Sequence, residues 1–138
     1  MIILDTNILS AVMRETSDPI IVEWLDAQAR ESIWTTAITV FEIQLGLSIL
    51  EKGKRRAKLE QTFQLALEEI LEGRILPFDV ASAMASADIA AKRRRKGITV
   101  DIRDTQIAGI AVAKRSSIAT RNIKDFQELP ISVINPWA

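Results

Sequence analysis

The residues of this chain that could do chemistry are carboxylates, and they recur where elements begin. Asp5 follows the apolar run Ile2-Ile3-Leu4, and Glu42 comes three residues after Thr39. Asp101 and Asp104 are spaced to share the first turn of one helix. An oxygen-rich stretch, Thr120-Arg121-Asn122-Ile123-Lys124-Asp125-Phe126, follows a further apolar run. Each acid has an ordinary structural explanation. Asp5 or Asn7 would cap the next helix. Thr39-Val40-Phe41-Glu42 fits a capping box, with Glu42 reaching back to the Thr39 backbone. Acids in a first helical turn are favoured by the helix dipole. The recurrence matters because an open parallel sheet aligns the carboxyl ends of its strands and binds ligands just beyond them. Asp5, Glu42 and Asp104 all suit that one edge.

Carboxylates gathered in one pocket repel and raise one another's pKa unless a cation neutralises them. The chain has no His and no Cys, so thiolate and imidazole chemistry is excluded. Hard oxygen donors alone select Mg²⁺ or Mn²⁺ over Zn²⁺. Such an ion keeps waters that can act as nucleophile and bridges readily to phosphate, which makes phosphodiester hydrolysis the natural reaction. Arg121 flanks the acidic turn, where it would pair with phosphate or brace a carboxylate. Lys and Arg total 18, as do Asp and Glu, so no global field marks a nucleic-acid binder. The basic runs at 52–58 and 92–96 are either RNA-backbone contacts or solvated helix faces.

The elements that must position these groups alternate in type. Ile2-Ile3-Leu4 reads as a strand buried on both faces, followed by the polar turn Asp5-Thr6-Asn7 and a short helix over 8–14. Asp18-Pro19 opens a helix with Ile20, Ile21, Trp24 and Leu25 on one face. A strand over 33–35 leads to a helix with Val40, Ile43, Leu47 and Leu50, broken at Gly53, then a longer one over 54–72 closed by Gly73. A third strand over 74–78 precedes a helix of small residues, capped by Asp79 and ended by Gly97. Asp101 starts another helix, and strands over 117–120 and 131–134 complete the chain. The pattern predicts one α/β domain over 1–138 with a mostly parallel sheet. Trp24, Trp34 and Trp137 read as packing residues. No apolar run approaches a membrane span and no signal peptide is visible, so we expect a cytoplasmic protein without membrane contact.

Four blocks stand in order along the chain: Asp5-Thr6-Asn7, Thr39-x-x-Glu42-x-x-x-Gly46, Asp104-x-x-Ile107-Ala108, and Thr120-Arg121-Asn122 with Asp125-Phe126. Together they resemble the PIN-domain ribonucleases, and within them the toxins of bacterial toxin–antitoxin pairs of the VapC and FitB type. The resemblance spans essentially the whole chain, from Leu4 to Trp137. It implies a PIN-like three-layer α/β/α sandwich around a mostly parallel sheet of about five strands. It also implies the toxin of a type II toxin–antitoxin system, a Mg²⁺- or Mn²⁺-dependent endoribonuclease that cleaves RNA with a metal-activated water. The core acids would be Asp5, Glu42 and Asp104, with Asp5 and Asp104 as metal ligands. Thr6, Asn7, Arg121 and Asn122 would meet the substrate. Some members carry Asp where this chain has Asn122, whose amide can ligate a metal but brings no charge. Asp125 either supplies that catalytic carboxylate or only caps its turn, and Asp101 is a further candidate. The expected partners are a second copy of the chain and a small DNA-binding antitoxin like VapB or FitA, met partly through the helical hairpin over 43–71. The alternative is a catalytically silent PIN domain acting as an RNA-binding or regulatory module. An aspartyl-phosphate enzyme fits less well, since Asn7 stands where it would need a second acid.

Overall fold

The computed structural model describes residues 1–138. Its sheet has five strands, β1 (Ile2–Leu4), β2 (Ile33–Thr36), β3 (Ile75–Leu76), β4 (Ser117–Ala119) and β5 (Val133–Ile134). They lie in the order β3-β2-β1-β4-β5, and every pairing is parallel. Six α-helices cover the faces: α1 (Thr6–Met13), α2 (Pro19–Asp26), α3 (Ala37–Ser48), α4 (Lys54–Leu65), α5 (Val80–Arg95) and α6 (Ile102–Lys114).

The alternation along each short strand creates the layers. Leu4, Ile33 and Ala119 join a core made by α1 to α4, with Ile8, Leu9, Ile21, Ile43, Leu47 and Phe63. Their neighbours Ile3 and Ile118 face the other way, onto Ile107 and Ile110 of α6 and Ile89 of α5. Side chains such as Ile118, Ile3 and Leu4 are fully buried, each worth about 1.5–3 kcal/mol in transfer from water. The helices α5 and α6 are pressed together at Gly109, where an added Cβ would meet Ser86 Oγ at 1.8 Å and the Ser82 carbonyl at 2.7 Å. Trp24 and Trp34 pack against these cores.

Several boundaries differ from the sequence reading, each for a local reason. Helix α1 begins at Thr6 because the Asp5 carboxylate caps it directly, accepting from Thr6 N–H at 2.8 Å. Strand β3 is shorter than 74–78 because Pro77 has no N–H for the ladder. The long helix over 54–72 is regular only to Leu65 and then widens into a π turn, Ala66–Ile70. There Leu71 N–H reaches back five residues to the Ala66 carbonyl at 3.1 Å, Leu71 is fully buried, and Gly73 turns the chain at φ 73.

The chain fills one side of β1 first, with β2 and β3, then crosses to the other side for β4 and β5. The reversal between β1 and β4 opens a crevice at their carboxyl ends, where open α/β sheets bind ligands. Asp5 follows β1 and Thr120 follows β4 at that point.

Candidate active site

Asp5 sits in the crevice almost without exposure, at 3%. Its backbone N–H extends the sheet by donating to Ala119 O at 2.9 Å. Its Oδ2 accepts from the Thr120 hydroxyl at 2.7 Å and from Asn7 Nδ2 at 3.3 Å. Thr120 Oγ1 in turn accepts the Asn122 N–H at 3.0 Å, while Asn7 Oδ1 accepts the Arg121 N–H at 3.2 Å. The polar turn after β1 and the turn after β4 are thereby tied into one unit. Asp5 is both the cap of α1 and a wall of the crevice.

Glu42 does not close a capping box on Thr39. The cap of α3 is Thr36, whose hydroxyl accepts the Thr39 N–H at 3.1 Å. With that donor satisfied, the Glu42 carboxylate turns across to α1 and accepts from the Thr6 hydroxyl at 3.0 Å. Thr6 Oγ1 also lies 3.1 Å from Thr39 Oγ1. Asp104 comes from the first turn of α6, whose N-cap is Asp101. Asp5, Glu42, Asp101 and Asp104 line one open cleft of about 400 Å³ with Thr6, Asn7, Arg121 and Asn122.

The electrostatics of the cleft are those of crowded negative charge, only partly offset by Arg14, Arg103 and Arg121. Burial pushes the Asp5 carboxyl upward against the Thr120, Thr6 and Asn7 hydrogen bonds, and the Asp125 charge adds to the rise. Burial likewise raises Glu42, opposed by Thr6 and Arg103 and assisted by Asp5 and Asp101. Asp104 is pushed up to about 7, first by burial and then by the charges of Asp5, Asp125, Glu42 and Asp101. Arg103 relieves this little: it lies 4.0 Å from Glu42 and pairs more closely with Asp101, at 3.3 Å.

Oxygen donors without His or Cys have the chemistry of a hard divalent cation's donor set, and Asp5, Glu42 and Asp104 all have raised carboxyl pKa values. The acids line the cleft without being drawn into a coordination-sized group of three.

The remaining candidates fall at different depths. Asp125 closes a 3₁₀ turn, Ile123–Asp125, off the cleft wall, but its charge is felt by both Asp5 and Asp104. Asp101 lies on the wall, held below the usual carboxylate range first by its bond from the Arg103 side chain. Arg121 is exposed at the rim, its guanidinium stacked 4.0 Å over the Trp137 ring. Trp137 is therefore more than a packing residue, and its indole N–H donates to Asp18 Oδ2 at 2.9 Å. Thr120 and Arg14 were not singled out by sequence reasoning. Thr120 stood inside a recognised block, whereas Arg14 reaches the cleft only through the turn of α1.

Four acids at the switch point of a parallel five-stranded sheet define a class, and the family model described as PIN domain matches residues 2–131. The chain belongs to the PIN-domain family. It is 36% identical over 137 residues to the VapC ribonuclease Y4jK of Sinorhizobium fredii, covering 99% of this chain and 98% of the relative. It is 34% identical over 137 residues to the toxin FitB of Neisseria gonorrhoeae, covering 99% of each. Among solved structures, FitAB bound to an IR36 DNA fragment superposes with a TM-score of 0.89 at 34% identity, covering 100% of this chain and 96% of that one.

Proposed function

We propose that this chain is the toxin of a toxin–antitoxin pair and acts as a Mg²⁺- or Mn²⁺-dependent endoribonuclease. The observation that carries the reading is the meeting of Asp5, Glu42 and Asp104 in one cleft, all three with raised proton affinity and Asp104 at about 7. The names of the similar proteins, a VapC ribonuclease and the toxin FitB, point to the same chemistry.

Each residue has a defined task. Thr120 and the Thr6 N–H orient the two oxygens of Asp5. Thr6 holds Glu42 by Oε1, and Oε2, with Arg103 at 4.0 Å, is the oxygen that would take the proton of the attacking water. Asp5 and Asp104 would hold the cation, which when bound supplies Lewis acidity toward phosphate and lowers the pKa of a water. Arg121 and Arg14 at the rim pair with phosphate oxygens of the RNA.

A wider groove of about 950 Å³ runs on from the cleft between α1, α3 and α4, floored by Met13, Ile43, Leu47 and Leu59 and flanked by Arg14, Lys54, Arg55 and Lys58. The border also holds Glu15 and Glu42, with Lys58 paired to Glu15 at 3.6 Å. An apolar floor with a net basic rim suits an acidic amphipathic segment, and we assign it to the antitoxin. The second copy of the chain is assigned to α3, where Phe41, Leu45 and Ile49 leave 56%, 41% and 76% of their surface exposed at helical spacing. Sedimentation of Leu45→Glu and Ile49→Glu variants without antitoxin checks this, with monomers expected where the wild type is a dimer.

Incubating the purified chain with total RNA in Mn²⁺ or in EDTA, beside Asp5→Asn, tests the main reading. Cleavage by the wild type in Mn²⁺ alone is expected. Intact RNA under all conditions would favour the silent, RNA-binding alternative.

A further inference from the structure

Arg93 belongs to the basic run at the end of α5, yet it is only 4% exposed while Lys92, Arg94, Arg95 and Lys96 are solvated. Each of its three guanidinium nitrogens has a partner. Nε donates to Glu128 Oε1 at 2.6 Å, Nη1 to Thr105 Oγ1 at 2.9 Å, and Nη2 to the backbone carbonyl of Asp125. These partners sit on two separate segments that adjoin the cleft. Thr105 follows Asp104 in the first turn of α6, and Asp125 and Glu128 belong to the segment between β4 and β5.

Packing alone does not call for this arrangement. A buried charge carries a desolvation cost, and an apolar side chain of similar volume commonly serves stability as well or better. What the planar, forked guanidinium adds is geometry, because it fixes three acceptors relative to one another. One of those acceptors adjoins Asp104 on the cleft wall, and another is the carbonyl of Asp125, whose charge reaches Asp5 and Asp104 from just off that wall.

We propose that Arg93 is a positioning residue for the acidic cleft, holding the Asp125 turn against the first turn of α6 and so setting where Asp125 stands relative to Asp104. The proposal rests on the reading of the cleft as a metal-dependent RNA-cleaving site. Arg93 touches neither substrate nor cation and acts through Asp125.

The test is a double-mutant cycle with two readouts, kcat and KM on a short RNA in Mn²⁺ and Mn²⁺ affinity by calorimetry. Arg93→Met should lower kcat about 10-fold or more, leave KM within about twofold, and weaken Mn²⁺ binding several-fold. Asp125→Asn should do the same, and the double variant should be no worse than Asp125→Asn alone within about twofold. Should Arg93→Met fail to fold, Thr105→Val removes one of the three bonds and must show the same non-additivity in milder form. Effects that multiply, a neutral Asp125→Asn, or a change in KM alone would overturn the role of Arg93. A wild type that binds Mn²⁺ but cuts no RNA would overturn the nuclease reading, and the Mn²⁺ cycle would then decide the positioning by itself. A wild type that does neither would overturn both.

Discussion

The hydroxyl of Thr6 donates to Glu42 Oε1 at 3.0 Å, joining the first residue of α1 to the second turn of α3. That bond moves Glu42 from helix capping to the cleft. Since Thr36 is the cap of α3, Thr36→Ala should cost about 1 kcal/mol of stability. Glu42→Gln, which keeps an oxygen for Thr6, should cost no stability while removing activity. Chemical denaturation of both variants in EDTA checks this, and a Glu42→Gln loss equal to that of Thr36→Ala would restore the capping role.

Stability should depend on pH through Asp104, whose carboxyl rises from 3.8 to about 7 on folding. The folded state then binds a proton that the unfolded chain releases between those values. Its contribution is complete below the unfolded pKa and is lost as pH rises through the folded one. Metal-free protein should therefore lose stability from pH 4 to pH 7. The loss through this group is about 1–2 kcal/mol once solvent screening of a half-buried carboxylate is allowed for. Asp104→Asn should flatten the decline. Melts across this range in EDTA read it directly.

Much of this was legible in the sequence, for physical reasons that differ by residue. Asp5, Glu42 and Asp104 stood at the ends or starts of elements, and short apolar runs alternating with helical stripes, with Gly73 and Gly97 as stops, marked the α/β pattern. The Thr39-x-x-Glu42 spacing misled, because Thr36 offers the same hydroxyl three residues earlier and only the three-dimensional approach of α1 decides between them. The role of Arg93 was masked by its charged neighbours. The signal was present nonetheless, since Ser82, Ser86, Ile89 and Arg93 repeat at helical spacing and are all buried. The stack of Arg121 on Trp137 joins residues of separate elements, and local sequence carries no trace of it.

That stack has a consequence for substrate binding. Trp137 holds the Arg121 guanidinium over its ring at the cleft rim, so Trp137→Ala should raise KM for RNA about 5- to 10-fold with kcat little changed. Arg121→Gln should match it and reduce the salt slope of binding by about 1. The double variant should be no worse than either, as measured by filter binding and steady-state kinetics.

The shared carboxylate site is tested most directly by melting Asp5→Asn, Glu42→Gln and Asp104→Asn in EDTA and in Mn²⁺, with RNA cleavage measured on the same samples. Relief of repulsion requires each variant to melt at or above the wild type in EDTA. Loss of a ligand or its neighbour requires each to gain less than the wild type from Mn²⁺ and to cut no RNA. Variants that all melt lower in EDTA yet still cleave RNA would contradict the shared site and leave the three acids as structural groups.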